Sequence, residues 1–113
     1  MNIKTKTIDN VGVLMLKGKL MGEPACSEIR NELKSFFGEG IKNIVIDLKH
    51  VSWMNSLGIG ALMSAYTTVI NTGGNFYLSG VADKVKSVLI ITKLIRIFKT
   101  FDTVDEAVAE FKK

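Results

Sequence analysis

Few side chains in this sequence have the types and spacing that covalent chemistry needs. There is a single histidine, His50, and a single cysteine, Cys26. Neither stands in a nucleophile–base–acid grouping, and no His, Cys, Asp or Glu spacing matches a metal site. Cys26 falls on an apolar helical stripe and reads as a small core residue. His50 ends an apolar strand run and reads as structural. Gly58-Ile59-Gly60 lacks the lysine and the full spacing of a phosphate loop. The chain is expected to have no catalytic residue, no metal and no cofactor, and not to be an enzyme.

The stretch that does invite a function is Met54-Asn55-Ser56-Leu57-Gly58-Ile59-Gly60. It follows a predicted inner strand and opens a predicted buried helix. Ligands and modifications favour the space beyond the carboxyl end of a strand in open α/β folds. A helix N-terminus carries free N–H groups and partial positive charge, so a phosphate on Ser56 would be tolerated there. Gly58 and Gly60 would let a partner's backbone come close. The same residues also have a purely local reading. Asn55 and Ser56 are both good N-caps, and the glycines suit tight packing of helix on sheet.

The elements that would position this stretch follow from periodicity. Ile3–Ile8 and Val11–Leu20 alternate around Asp9-Asn10, which predicts a hairpin. Pro24 is expected at the first position of a helix whose apolar stripe is Cys26, Ile29, Leu33 and Phe36 or Phe37, with Gly38 and Gly40 ending it. Ile44–Leu48 is a β-branched apolar run of the kind that forms a strand covered on both faces. A helix is predicted over Leu57–Asn71, with a break at Gly73-Gly74 and a strand at Phe76–Leu78. Val85, Val88, Leu89 and Thr92 mark a third helix, and Ile95–Phe98 a short edge strand. Thr103 and Glu106 have capping-box spacing before a terminal helix with Val104, Val108 and Phe111 inward. Alternation after a hairpin implies an α/β fold, a small mixed, mainly parallel sheet of four to five strands with about four helices. The 113 residues suit a single domain, 1–113.

Composition narrows the classes further. At 47% hydrophobic and 23% charged the chain can form an ordinary core. Its net charge is +4, with scattered lysines and a denser group at Lys84, Lys86, Lys93, Arg96 and Lys99. No basic arm with interleaved aromatics occurs, so direct nucleic-acid binding is not expected. No Lys, Arg, Asp or Glu lies between Lys49 and Asp83. The most apolar piece of that stretch, Leu57–Ile70, is shorter than the roughly twenty residues a spanning helix needs, so no membrane insertion is expected. Met1–Asp9 is charged and alternating, unlike a signal peptide. One cysteine and no possible internal disulfide fit a reducing, cytoplasmic location.

Two runs, Asn43-Ile44-Val45-Ile46-Asp47-Leu48 and Val51-Ser52-Trp53-Met54-Asn55-Ser56-Leu57-Gly58-Ile59-Gly60, together resemble the signature of STAS domains. That pattern is an apolar strand ending in Asp-Leu, a short loop with an aromatic, then Asp-Ser-small-Gly-apolar-Gly. Val13–Leu20 with Gly18 resembles the second family strand, and Gly73-Gly74 precedes the next strand as in the family. The resemblance spans essentially the whole chain and implies a bacterial anti-sigma factor antagonist. In that system the unphosphorylated domain binds an anti-sigma factor with serine kinase activity and so releases the sigma factor. The kinase phosphorylates a serine at the start of the second helix, binding is lost, and a PP2C-type phosphatase resets the switch. The resemblance maps the phosphoacceptor to Ser56 and the partner-binding stretch to Met54, Asn55, Ser56, Leu57, Gly58 and Gly60. Three positions depart from the family. Asn55 stands where Asp is usual, Leu57 where a second Ser or Thr follows, and Met21 where an acid is frequent. An alternative from another class is a small, unphosphorylated STAS subunit of a lipid or solute transport complex, docked on an ATPase.

Overall fold

In a computed structural model that describes residues 1–113, the chain starts as a hairpin. Strands β1 (Asn2–Ile8) and β2 (Val11–Leu20) pair antiparallel. Asp9 and Asn10 both take left-handed backbone, φ 50° and 65°. A two-residue turn of that hand matches the twist of the strands, and Asp and Asn tolerate it better than most residues. Helix α1 (Ala25–Gly38) follows, then β3 (Asn43–Met54), α2 (Ser56–Asn71), β4 (Phe76–Ser79), α3 (Asp83–Ile91), β5 (Lys99–Phe101) and α4 (Val104–Glu110). The sheet order is β1-β2-β3-β4-β5, and every pair after the first is parallel.

The fully buried run Ile44–Leu48 shows why β3 is the central strand. Its even-numbered residues join Leu14, Leu16 and Leu78 in a core that α1, α2 and α3 close with Ile29, Leu33, Leu62, Val69, Val85 and Leu89. Val45 faces the other way, and with Val11 and Val13 it meets Ala107 and Val108 of α4. A parallel strand with helices on both faces needs apolar residues at consecutive positions. Asp47 is the exception. Its carboxylate accepts from Ser79 Oγ at 3.0 Å and from the Lys49 N–H at 3.4 Å, so this buried side chain ties the middle of β3 to the end of β4. Gly80 turns away from this pair at φ +62°, where a Cβ would stand 2.8 Å from the Asp47 oxygen.

Several local expectations change. Helix α1 begins at Ala25, with Pro24 just before it, and Ala25 rather than Cys26 takes the buried place. Cys26 is half-buried. Strand β3 continues through Val51–Met54, where a loop was expected, because two bulges in β3 let Val51, Trp53 and Met54 pair with Gly18, Lys19 and Leu20 of β2. His50 therefore lies within β3, exposed and opposite Lys17. Ile95–Phe98 is not a strand. Lys93 closes α3 in left-handed backbone, Leu94–Arg96 makes a 3-10 turn, and the edge strand is Lys99–Phe101. The reason is Phe98, whose ring packs 5.8 Å from those of Tyr66 and Phe76 and plugs the core before the ladder begins. At α4 the Thr103 Oγ1 accepts from the Glu106 N–H at 3.1 Å, as the cap spacing implied.

Candidate functional site

Ser56 is the first residue of α2, and the preceding Asn55 makes that start. Asn55 is extended, and its Oδ1 accepts from the Gly58 N–H at 2.9 Å. Its own N–H donates to the Leu20 carbonyl at 3.3 Å, which pins the junction to the end of β2. The first bond along the helix runs from the Ile59 N–H to the Asn55 carbonyl, 3.0 Å. The N–H groups of Ser56 and Leu57 come before it and are left for solvent or an anion. The Ser56 hydroxyl belongs to an exposed residue. A phosphate there would meet donors and a favourable helix end, but no cation of its own segment, since Val51–Ala82 has no charged side chain.

Around Ser56 lies a partly apolar surface. Leu57 is 65% exposed, Trp53 46% and Met21 45%. Met21, Gly22, Glu23, Cys26, Leu57, Gly60 and Ala61 line a shallow groove of about 490 Å³ between α1 and α2. Its one carboxylate, Glu23, accepts from Ser27 Oγ at 2.6 Å. No three His, Cys, Asp or Glu residues are placed to share a metal ion.

The six residues expected to bind a partner divide in two. Asn55, Ser56, Leu57 and Gly60 reach the surface. Met54 is buried at 3% exposure and packs in the main core, so its place is under the junction rather than on it. Gly58 is also buried, and a Cβ there would stand 2.0 Å from the Leu20 carbonyl oxygen. Its glycine serves the contact of α2 with β2, not the approach of a partner. Gly60 has nothing within 4 Å of a Cβ and remains open to one. Trp53 and Met21 were not singled out as site residues. Trp53 had a signal: once β3 is continued past Leu48, alternation puts it on the face opposite the buried Met54. Met21 had none, because its exposure depends on where α1 docks.

The STAS domain family profile matches residues 2–107. The chain belongs to the STAS domain family. A Thermotoga maritima protein provisionally named an anti-sigma factor antagonist is 31% identical, with 96% of each chain covered. The crystal structure of a Thermotoga maritima protein of that name superposes with a TM-score of 0.88 at 30% identity, covering 98% of this chain and 95% of the other. An anti-sigma-B factor antagonist of Staphylococcus aureus is 26% identical, covering 83% of this chain and 86% of that protein. As a STAS domain, the chain has its strand-to-helix junction at Asn55-Ser56, and the Asn55 departure has a physical reading. The oxygen that caps α2 is available from Asn and Asp alike, so the substitution removes a charge while keeping the cap. No helix is long and apolar enough to cross a membrane.

Proposed function

We propose that this STAS domain is a non-catalytic antagonist of an anti-sigma factor, switched by phosphorylation of Ser56. In its unphosphorylated form it binds an anti-sigma factor with serine kinase activity through Asn55, Ser56, Leu57, Gly60 and the flanking Trp53 and Met21. The kinase modifies Ser56, the complex dissociates, and a PP2C-type phosphatase restores the first state. The observation that carries this reading is the exposed hydroxyl at the first position of α2, set among exposed apolar side chains. Exposed aromatic and aliphatic groups around a small polar centre suit protein docking, with Trp53 as an anchor. Phosphate adds about −1.5 to −2 charges at neutral pH. The helix end accommodates that charge within the domain, whereas a docked partner must desolvate it.

The test uses the anti-sigma factor kinase of the same cell, with ATP. Intact mass should rise by one phosphate, and peptide mapping should put it on Ser56. Ser56→Ala should bind constitutively. Ser56→Asp should lose about 2–4 kcal/mol, roughly 30- to 1,000-fold in affinity, while melting near the wild-type temperature. Wild-type affinity in Ser56→Asp, or a phosphate mapped elsewhere, would sink the assignment.

A further inference from the structure

Residues 83–99 present a second surface, which the switch does not use. Five cations, Lys84, Lys86, Lys93, Arg96 and Lys99, stand there against one acid, Asp83. The rest of the chain has equal numbers of cations and acids, so this segment carries the whole net charge of +4. Lys99 pairs with Glu110 at 3.2 Å, and the other four cations are exposed and make no ion pair. Among them protrude three isoleucines, Ile90 at 54%, Ile91 at 80% and Ile97 at 44% exposure. On α3, Val85 and Leu89 face the core. Helical spacing puts Lys86 one turn before Ile90 and Lys84 two turns before Ile91, so both lysines share the outward side of α3 with the isoleucines. The left-handed Lys93 then turns the chain, and Phe98 plugs inward while Arg96 and Ile97 stay outside. None of the protein's cavities is lined by a residue of this segment.

We propose that this surface docks on an anionic lipid bilayer, with the isoleucines at headgroup depth and the four free cations against lipid phosphates. Protruding aliphatic side chains beside unpaired cations bind such a plane by apolar burial and by attraction to negative lipid together. With no cavity among its residues, this surface offers no groove for a partner's helix or side chain. A second copy of this chain would bring four free cations against four. The Ile97 end of this surface also lies away from Ser56. Ile97 directly precedes Phe98, which packs on Phe76 beside Ile44 at the start of β3, whereas Ser56 follows Met54 at its end. Ten residues of strand separate the two levels, on the order of 30 Å. The partner surface would stay free on a docked molecule, so the inference does not depend on the switch.

Flotation of the full chain with vesicles of phosphatidylglycerol and phosphatidylcholine in equal parts tests this, with pure phosphatidylcholine vesicles as reference. Binding should occur only to the anionic vesicles and weaken as salt rises. Neutralising Lys86, Lys93 or Arg96 to Gln should each lower it about fivefold. The charge-neutral Ile91→Ser should lower it about tenfold, which adsorption by charge alone would not do. Lys4→Gln and Lys6→Gln, outside the segment, should leave it unchanged. Thermal melts of each variant separate lost binding from lost fold. Absence of wild-type binding to the anionic vesicles, or full binding by a folded Ile91→Ser variant, overturns the proposal. So does a dimer in sedimentation that Ile91→Ser dissociates, because it assigns the strip to a second copy.

Discussion

Gly58 and Gly60 lie two positions apart in one helix, and they should respond to alanine in opposite ways. At Gly58 the new methyl would meet the Leu20 carbonyl at 2.0 Å, and backbone cannot step aside as a side chain can. Gly58→Ala should cost about 3 kcal/mol or more in a denaturant melt, at the upper end of overpacking. At Gly60 the space is empty, and Ala reduces the backbone freedom of the unfolded chain, so Gly60→Ala should raise stability by up to about 1 kcal/mol. If Gly60 lets a partner approach, the same variant should bind it more weakly while melting higher. At Asn55 the cap survives replacement by Asp and fails in Ala. Asn55→Asp should hold its melting temperature, and Asn55→Ala should lose about 1 kcal/mol. Asn55→Asp should also be phosphorylated faster than the wild type, if the missing charge helps the kinase. The sequence already marked Asn55 and Ser56 as a helix start. It could not separate the two glycines, because which of them touches β2 depends on how α2 meets Leu20 across a distance of many residues.

Among the elements, β3 and the segment after α3 differ most in how well they could be read. Ile44–Leu48 is apolar at every position but Asp47, a pattern that suits a doubly covered strand, and the structure has it in the central strand. Ile46→Ala should therefore cost about 2–5 kcal/mol. Ile95–Phe98 is equally apolar and β-branched, yet it makes no ladder. One large ring, Phe98, is drawn between Tyr66 and Phe76, and that pull is invisible in local spacing. Phe98→Ala should cost about 3–5 kcal/mol, whereas Ile97→Ala, at an exposed side chain, should stay within about 0.5 kcal/mol. Helix α4 has a device of its own. A hydrogen bond from Lys99, working against desolvation and with the charge of Lys113, holds the Glu110 carboxyl below its ordinary 4.5. The lowered value means that the pair helps the fold above pH 4.5 and stops helping as pH falls through the folded-state pKa. In an acid titration of melting temperature, Glu110→Gln should show a shallower decline below that point. The effect should be small, since Lys99 is solvent-exposed and water screens the pair.

At the scale of the whole molecule, the hairpin-then-alternation pattern was enough to read the mixed sheet and its helices, because period two and period 3.6 are local properties. The asymmetry of the two faces was not legible. Three helices crowd one side and a single short helix covers the other, a choice made by crossovers rather than by any helix's own residues. That arrangement also bears on how the chain is made. The strands stand in the sheet in the order in which they are translated, so each new strand finds its neighbour already emerged from the ribosome. The large core can close once β4, α3 and then Phe98 have arrived. The valines at 11, 13 and 45 wait until α4 is synthesised. A nascent chain halted after β5 should have its sheet formed and one oily face bare, and a holding chaperone would recognise that face until translation resumes.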